Sequence, residues 1–121
     1  MSYAKVLLEL ARARLVVGWT KDVSARDSSG KEVPADSTNA TCWCATGALF
    51  FAKVTVPEER QESERESARA IDALFDAVPT EKRGVRHCNR VQFVEYFNDH
   101  CVISQEEALA WFDRAIERVD S

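Results

Sequence analysis

A chain of 121 residues, 45% hydrophobic and 30% charged, carries enough apolar material for one buried core and is too rich in it for a disordered or fibrous class. With 16 Lys plus Arg against 20 Asp plus Glu, the net charge of −4 and the pI of about 5.2 leave no broad basic surface for nucleic acid. A run of about 18 apolar residues is absent, and charge at Glu9, Arg12 and Arg14 interrupts any signal-peptide core, so the expectation is one cytoplasmic domain over residues 1–121 with no membrane segment.

Taken in order, Tyr3, Val6, Leu7, Leu10, Ala13 and Val17 fall at helical spacing, and Gly18 stands where a helix stop belongs; the first predicted helix is Tyr3–Val17. Residues 19–40 form a long polar loop in which Asp27-Ser28-Ser29-Gly30-Lys31 reads as a tight turn and Pro34 as another. The loop could include a short hairpin between Val23–Arg26 and Lys31–Val33. Connections longer than about 12–15 residues are usually functional or disordered.

The segment Thr41 to Ala52 carries no charge and is apolar all round, which predicts a central helix over 42–53 capped by Asn39 or Thr41. Ala45, Thr46, Gly47 and Ala48 make a narrow turn of it where another helix can cross closely. A third helix is expected from Pro57 to Ala77. Its first half is charged, with pairs such as Arg60–Glu64 and Glu62–Arg65, and its second half presents Ala68, Ile71, Leu74, Phe75 and Val78 to a core. A fourth is expected from Val85 to Phe97, ended by Asn98-Asp99-His100 as a turn. The capping box Ser104-Gln105-Glu106-Glu107 opens a fifth, with Ala108, Leu109, Phe112, Ala115, Ile116 and Val119 in one stripe. The expected fold is all-α: about five helices round a central one.

Three chemistries suit these residues. Cys42-x-Cys44, His87-Cys88 and His100-Cys101 are the residue types zinc prefers, but adjacent pairs diverge and the first pair sits on an apolar segment, so no metal site is assigned. Cys44, at the start of the central helix where backbone N–H groups and the helix dipole lower a thiol pKa, could act as a nucleophile, with His100 as base and Asn98 or Asp99 as its orienter. Trp19, Arg26, Asp27 and Trp43, closed off by Asn98 and Asp99, could instead line a binding groove for another protein or a small ligand, with no cofactor. Lys82, Arg83, Arg86 and Arg90 lie close together and read as a solvated patch.

Gly18-Trp19, Ala25-Arg26-Asp27 with Gly30 and Val33, Trp43-Cys44-Ala45-x-Gly47-Ala48-Leu49, Asn98-Asp99 before a Ser/Thr-x-x-Glu start, and Phe112-Asp113-Arg114-Ala115-Ile116 together resemble an uncharacterised family of small bacterial and phage proteins. The resemblance covers nearly the whole chain. It implies that Trp19, Arg26, Asp27, Cys44, Asn98 and Asp99 belong to a shared pattern, and it implies no activity. Family members usually carry Gln where Lys21 stands and Arg-Thr where Ile103-Ser104 stand. Cys42, Cys88, Cys101 and both histidines lie outside the pattern, which weighs against zinc and against a Cys-His hydrolase together. The reading favoured is a non-catalytic binding protein, of a kind that suits a phage accessory protein inhibiting a host or defence protein. A cysteine hydrolase or transferase using Cys44 is the alternative.

Overall fold

A computed structural model describes residues 3–56, 64–79 and 89–120. Five helices, α1 Tyr3–Val17, α2 Ala45–Thr55, α3 Glu64–Asp76, α4 Arg90–His100 and α5 Gln105–Asp120, make up most of the described chain. Two short strands, β1 Ala25–Arg26 and β2 Cys42–Trp43, pair antiparallel with Ala25 opposite Trp43 and Arg26 opposite Cys42. The fold is all-α apart from this small sheet.

Helix α1 has the expected bounds, because Gly18 donates its N–H to the Arg14 carbonyl and ends the helix there. A Cβ at Gly18 would stand 2.4 Å from the Thr41 carbonyl oxygen, so only glycine lets the chain pass so close to the approach to β2. The buried face of α1 is turned from the one expected. Tyr3, Ala4, Leu7, Leu8, Ala11 and Leu15 are buried, whereas Leu10 and Val17 are exposed. Small, fully buried Ala4 and Ala11 permit close approach of neighbouring elements, and closeness outweighs the bulk of Leu10 and Val17 in deciding which face is covered.

The apolar segment begins as a strand, not as helix. Cys42 and Trp43 are in β2, Cys44 is the extended N-cap of α2, and the helix starts at Ala45 rather than at 42. An apolar run does not distinguish strand from helix, and here the backbone of Trp43 is taken by neighbours on both sides. Its N–H bonds Gly18 O, its carbonyl receives Thr20 N–H, and β1 lies on the other edge of β2. The cap is therefore Cys44, whose Sγ accepts from Gly47 N at 3.3 Å, and not Asn39 or Thr41. Gly47 does serve a close crossing, but the partner is the loop: a Cβ there would lie 2.2 Å from Ser24 O.

Further along, Ala70, Ala73, Leu74, Ala77 and Val78 are buried from α3 into the turn after it, with Ile71 and Phe75 partly covered and Ala68 exposed. The start of the third predicted helix, residues 57–63 with Arg60 and Glu62, lies outside the described residues, as do Lys82, Arg83, Arg86 and the His87-Cys88 pair; Glu64, Arg65 and the rest of its charged first half belong to α3. Helix α4 starts at Arg90 rather than Val85, under a capping box made by Asn89 and Gln92. It runs on through Asn98, Asp99 and His100 to a cap at Cys101, so these three residues form its last turn and not a corner. Propensity for turns gave way because Phe97 and Asn98 are buried and hold the helix against the core. Ser104 caps α5 by accepting from Glu107 N–H, while the Glu107 carboxylate reaches back to the N–H of Ile103. Trp111, not singled out in the sequence, is fully buried beside Phe112 and Ala115 and donates its indole N–H to Leu74 O at 2.9 Å.

Candidate functional site

The polar loop is held down by one buried side chain. Asn98 is 1% exposed, and its Oδ1 accepts from the Trp19 indole N–H at 2.9 Å and from the Ala45 backbone N–H at 3.1 Å. Its Nδ2 donates to Thr20 O at 3.2 Å and to Asp99 Oδ1 at 2.9 Å. One amide thus ties the end of α4 to the exit of α1 and to the first turn of α2. A buried amide is tolerated only when so satisfied. Asp99 Oδ1 also receives the N–H of Asp22, whose backbone adopts a positive φ of 75°. Asp is one of the few side chains that tolerates that conformation.

Arg26 and Asp27 are occupied inside the loop. The Arg26 guanidinium donates to Thr20 Oγ1, to Gly30 O and more weakly to Lys21 O. Asp27 Oδ1 accepts from Ser29 N–H, Ser29 Oγ and Lys31 N–H, and these bonds, the Ser29 hydroxyl first, hold its carboxyl below the usual carboxylate range. The turn is closed by Asp27 N–H to Lys31 O and by Gly30, at φ 88°, to Asp27 O. The expected hairpin forms in part: Arg26 bridges Glu32 and Val33 N–H bonds Ala25 O, while the other edge of β1 pairs with β2. Trp43 is buried, donates to Ala35 O at 2.8 Å, and packs edge-on against Phe51 beneath the Arg14 guanidinium. Segment 24–35 is in this way a flap laid over α2.

Cys44 lies at the helix start as expected, but burial pushes its thiol up, and the nearby Asp99 carboxylate pushes the same way against the hydrogen bonds from Thr46 and Gly47. His100 is exposed, its ring 4.7 Å from that of Tyr96. Among the described residues no three His, Cys, Asp or Glu side chains stand where they could hold a metal ion, and no helix is long and apolar enough to cross a membrane.

Two hollows flank the flap. A small one of about 210 Å³ lies where loop, α2 start and α4 end meet, lined by Asp22, Glu32, Glu95 and Asp99 together with Ser24 and Cys44. Of the residues singled out in the sequence, Cys44 and Asp99 line it; Trp19, Arg26, Asp27, Trp43 and Asn98 do not, being spent on holding its walls. A larger cleft of about 580 Å³ opens between the flap, through Ser24, Glu32, Val33, Pro34 and Ala35, and α2, through Thr46, Gly47 and Phe50. Glu32, Glu95 and Phe50 were not foreseen. Glu95 carried one signal: it precedes Asp99 by one helical turn, and like charges at that spacing repel. No curated protein and no solved structure matches the chain. A family model does match, over residues 2–118, and the chain belongs to the family of unknown function DUF6197.

Proposed function

We propose that this protein acts by binding, through the cleft between the flap and α2, and that it is not a catalyst. The observation that carries the reading is Phe50: a large aromatic at 49% exposure, facing an open cleft of ligand size. An exposed aromatic next to a rigid, hydrogen-bonded wall is the usual anchor of a recognition surface. The cysteine-hydrolase alternative is weakly served by this geometry. It needs a thiolate, whereas burial favours the neutral Cys44 thiol, and it needs a base, whereas His100 rests against Tyr96 in solvent. In its most specific form the binding reading is a phage or mobile-element accessory protein that inhibits a host or defence protein, a step that rests on the family resemblance alone.

Thiol labelling of the native protein, with the modified residue located by peptide mass mapping, separates the two. Binding predicts that Cys44 stays unlabelled at neutral pH until the protein is denatured. Rapid labelling of Cys44 would favour the hydrolase. Backbone chemical-shift mapping with a fragment collection is expected to move Ser24, Gly47 and Phe50 before any other group.

A further inference from the structure

The cleft does not end at Phe50. Thr46 and Phe50 also line a third hollow of about 340 Å³, whose other walls include Leu7, Leu49, Ile71 and Val91. At the opposite end, Ser24 and Glu32 are shared with the carboxylate cavity. The three hollows therefore adjoin in one trough that is apolar at one end, has an aromatic ridge in the middle and is acidic at the other. At the apolar end Val91, a lining residue, is 45% exposed. At the acidic end none of the described lining residues is basic.

Building on the binding reading above, we infer that the trough docks a basic, apolar peptide segment of a partner protein, with an aliphatic side chain between Leu49, Ile71 and Val91 and a Lys or Arg at Glu32, Glu95 and Asp99. Charge complementarity sets which end of the segment is basic: a cation is drawn toward the carboxylates. Size sets its extent. A lone cation would fill the 210 Å³ end alone and an apolar molecule the 340 Å³ end alone, whereas a stretch of chain carrying both kinds of side chain spans them. The acidic lining repels the phosphates of nucleic acid.

Selection of a random-peptide library on the intact protein, followed by anisotropy titration of a selected peptide after labelling, tests this. Enriched peptides are expected to pair a basic with aliphatic residues. Phe50→Ser is expected to weaken binding by more than tenfold, and Glu32→Gln with Glu95→Gln by about tenfold, with the wild-type affinity falling as salt is raised. All three side chains are exposed, so the variants are expected to keep the fold, which circular dichroism checks. Peptides that need Phe50 but carry no basic residue would overturn this inference and leave the binding reading standing. Binders indifferent to Phe50→Ser, or no binders at all, would overturn both.

Discussion

Two regions of this protein are held together by different physics. Where α1, α3 and α5 meet, alanines at 4, 11, 70, 73, 77, 108 and 115 bring helices close, and Leu8, Leu15, Leu74, Trp111 and Phe112 fill the space between them. Cohesion there is distributed, so removing any one methyl group loses a small share of it. Where the flap meets α2 and α4, cohesion is concentrated. Asn98 supplies the bonds that join three parts of the chain, and Gly18 and Gly47 supply contacts that no other residue permits. Distributed packing makes a stable platform; concentrated hydrogen bonding fixes the shape of one particular surface, and the cleft lies on that side.

That contrast can be broken at its strongest point first. Asn98→Ala leaves the buried Ala45 N–H and the half-buried Trp19 indole N–H and Thr20 carbonyl without their partner, and at about 1–3 kcal/mol for a buried group so orphaned and less for a half-buried one, a loss of about 3 kcal/mol is expected in denaturant unfolding. Gly47→Ala comes next. Its Cβ would meet the Ser24 carbonyl, a backbone atom that cannot swing away, so a loss of about 2–3 kcal/mol is expected, as for an overpacked core. An effect below about 0.5 kcal/mol would mean that the flap is free to lift.

Cys44 gives a smaller, pH-dependent effect. Its folded-state pKa is raised by burial, so the folded protein keeps a proton that the unfolded chain gives up. Stability attributable to Cys44 is then fully present below the ordinary thiol pKa and declines as pH rises through and beyond it. Cys44→Ala is expected to flatten the alkaline end of a stability-versus-pH curve. Smallest of all is Arg12→Ala on the distributed side. The Arg12 Nε to Asp113 Oδ1 contact of 2.6 Å joins α1 to α5, but the side chains are 34% and 56% exposed, and about 0.5 kcal/mol or less is expected in thermal unfolding.

The same contrast explains what could be read from the residues alone. Helix α1 and its stop were legible because Gly18 is a local signal, and the Asp27–Lys31 turn because Asp and Gly act within their own few residues. The face of α1 was misjudged because bulk is visible in a sequence and closeness is not: Ala4 and Ala11 outrank Leu10 and Val17 only once a neighbour is present. The start of α2 was misplaced because Cys42-Trp43 is apolar in either conformation, and its strand is made by Gly18 and Ala25 at a distance along the chain. Trp19, Arg26, Asp27, Asn98 and Asp99 stand out in the sequence as polar and aromatic residues that could line a groove. That they build the wall of the cleft was hidden, since Trp19 and Asn98 meet across 79 positions. Phe50 was expected to be buried with the rest of an all-apolar helix, and nothing local marks it as exposed.

Amide hydrogen exchange of Asn98→Ala against the native protein tests the central claim most directly. If Asn98 is the fastening of the flap, the Ala45, Asp22 and Trp43 amides lose protection by at least about a hundredfold, equivalent to about 2.7 kcal/mol, while those of buried Leu8, Leu74 and Phe112 change far less. Equal loss at every amide would show one undivided cooperative unit, and unchanged protection at Ala45 would show that the loop is held by something else; either result contradicts the account.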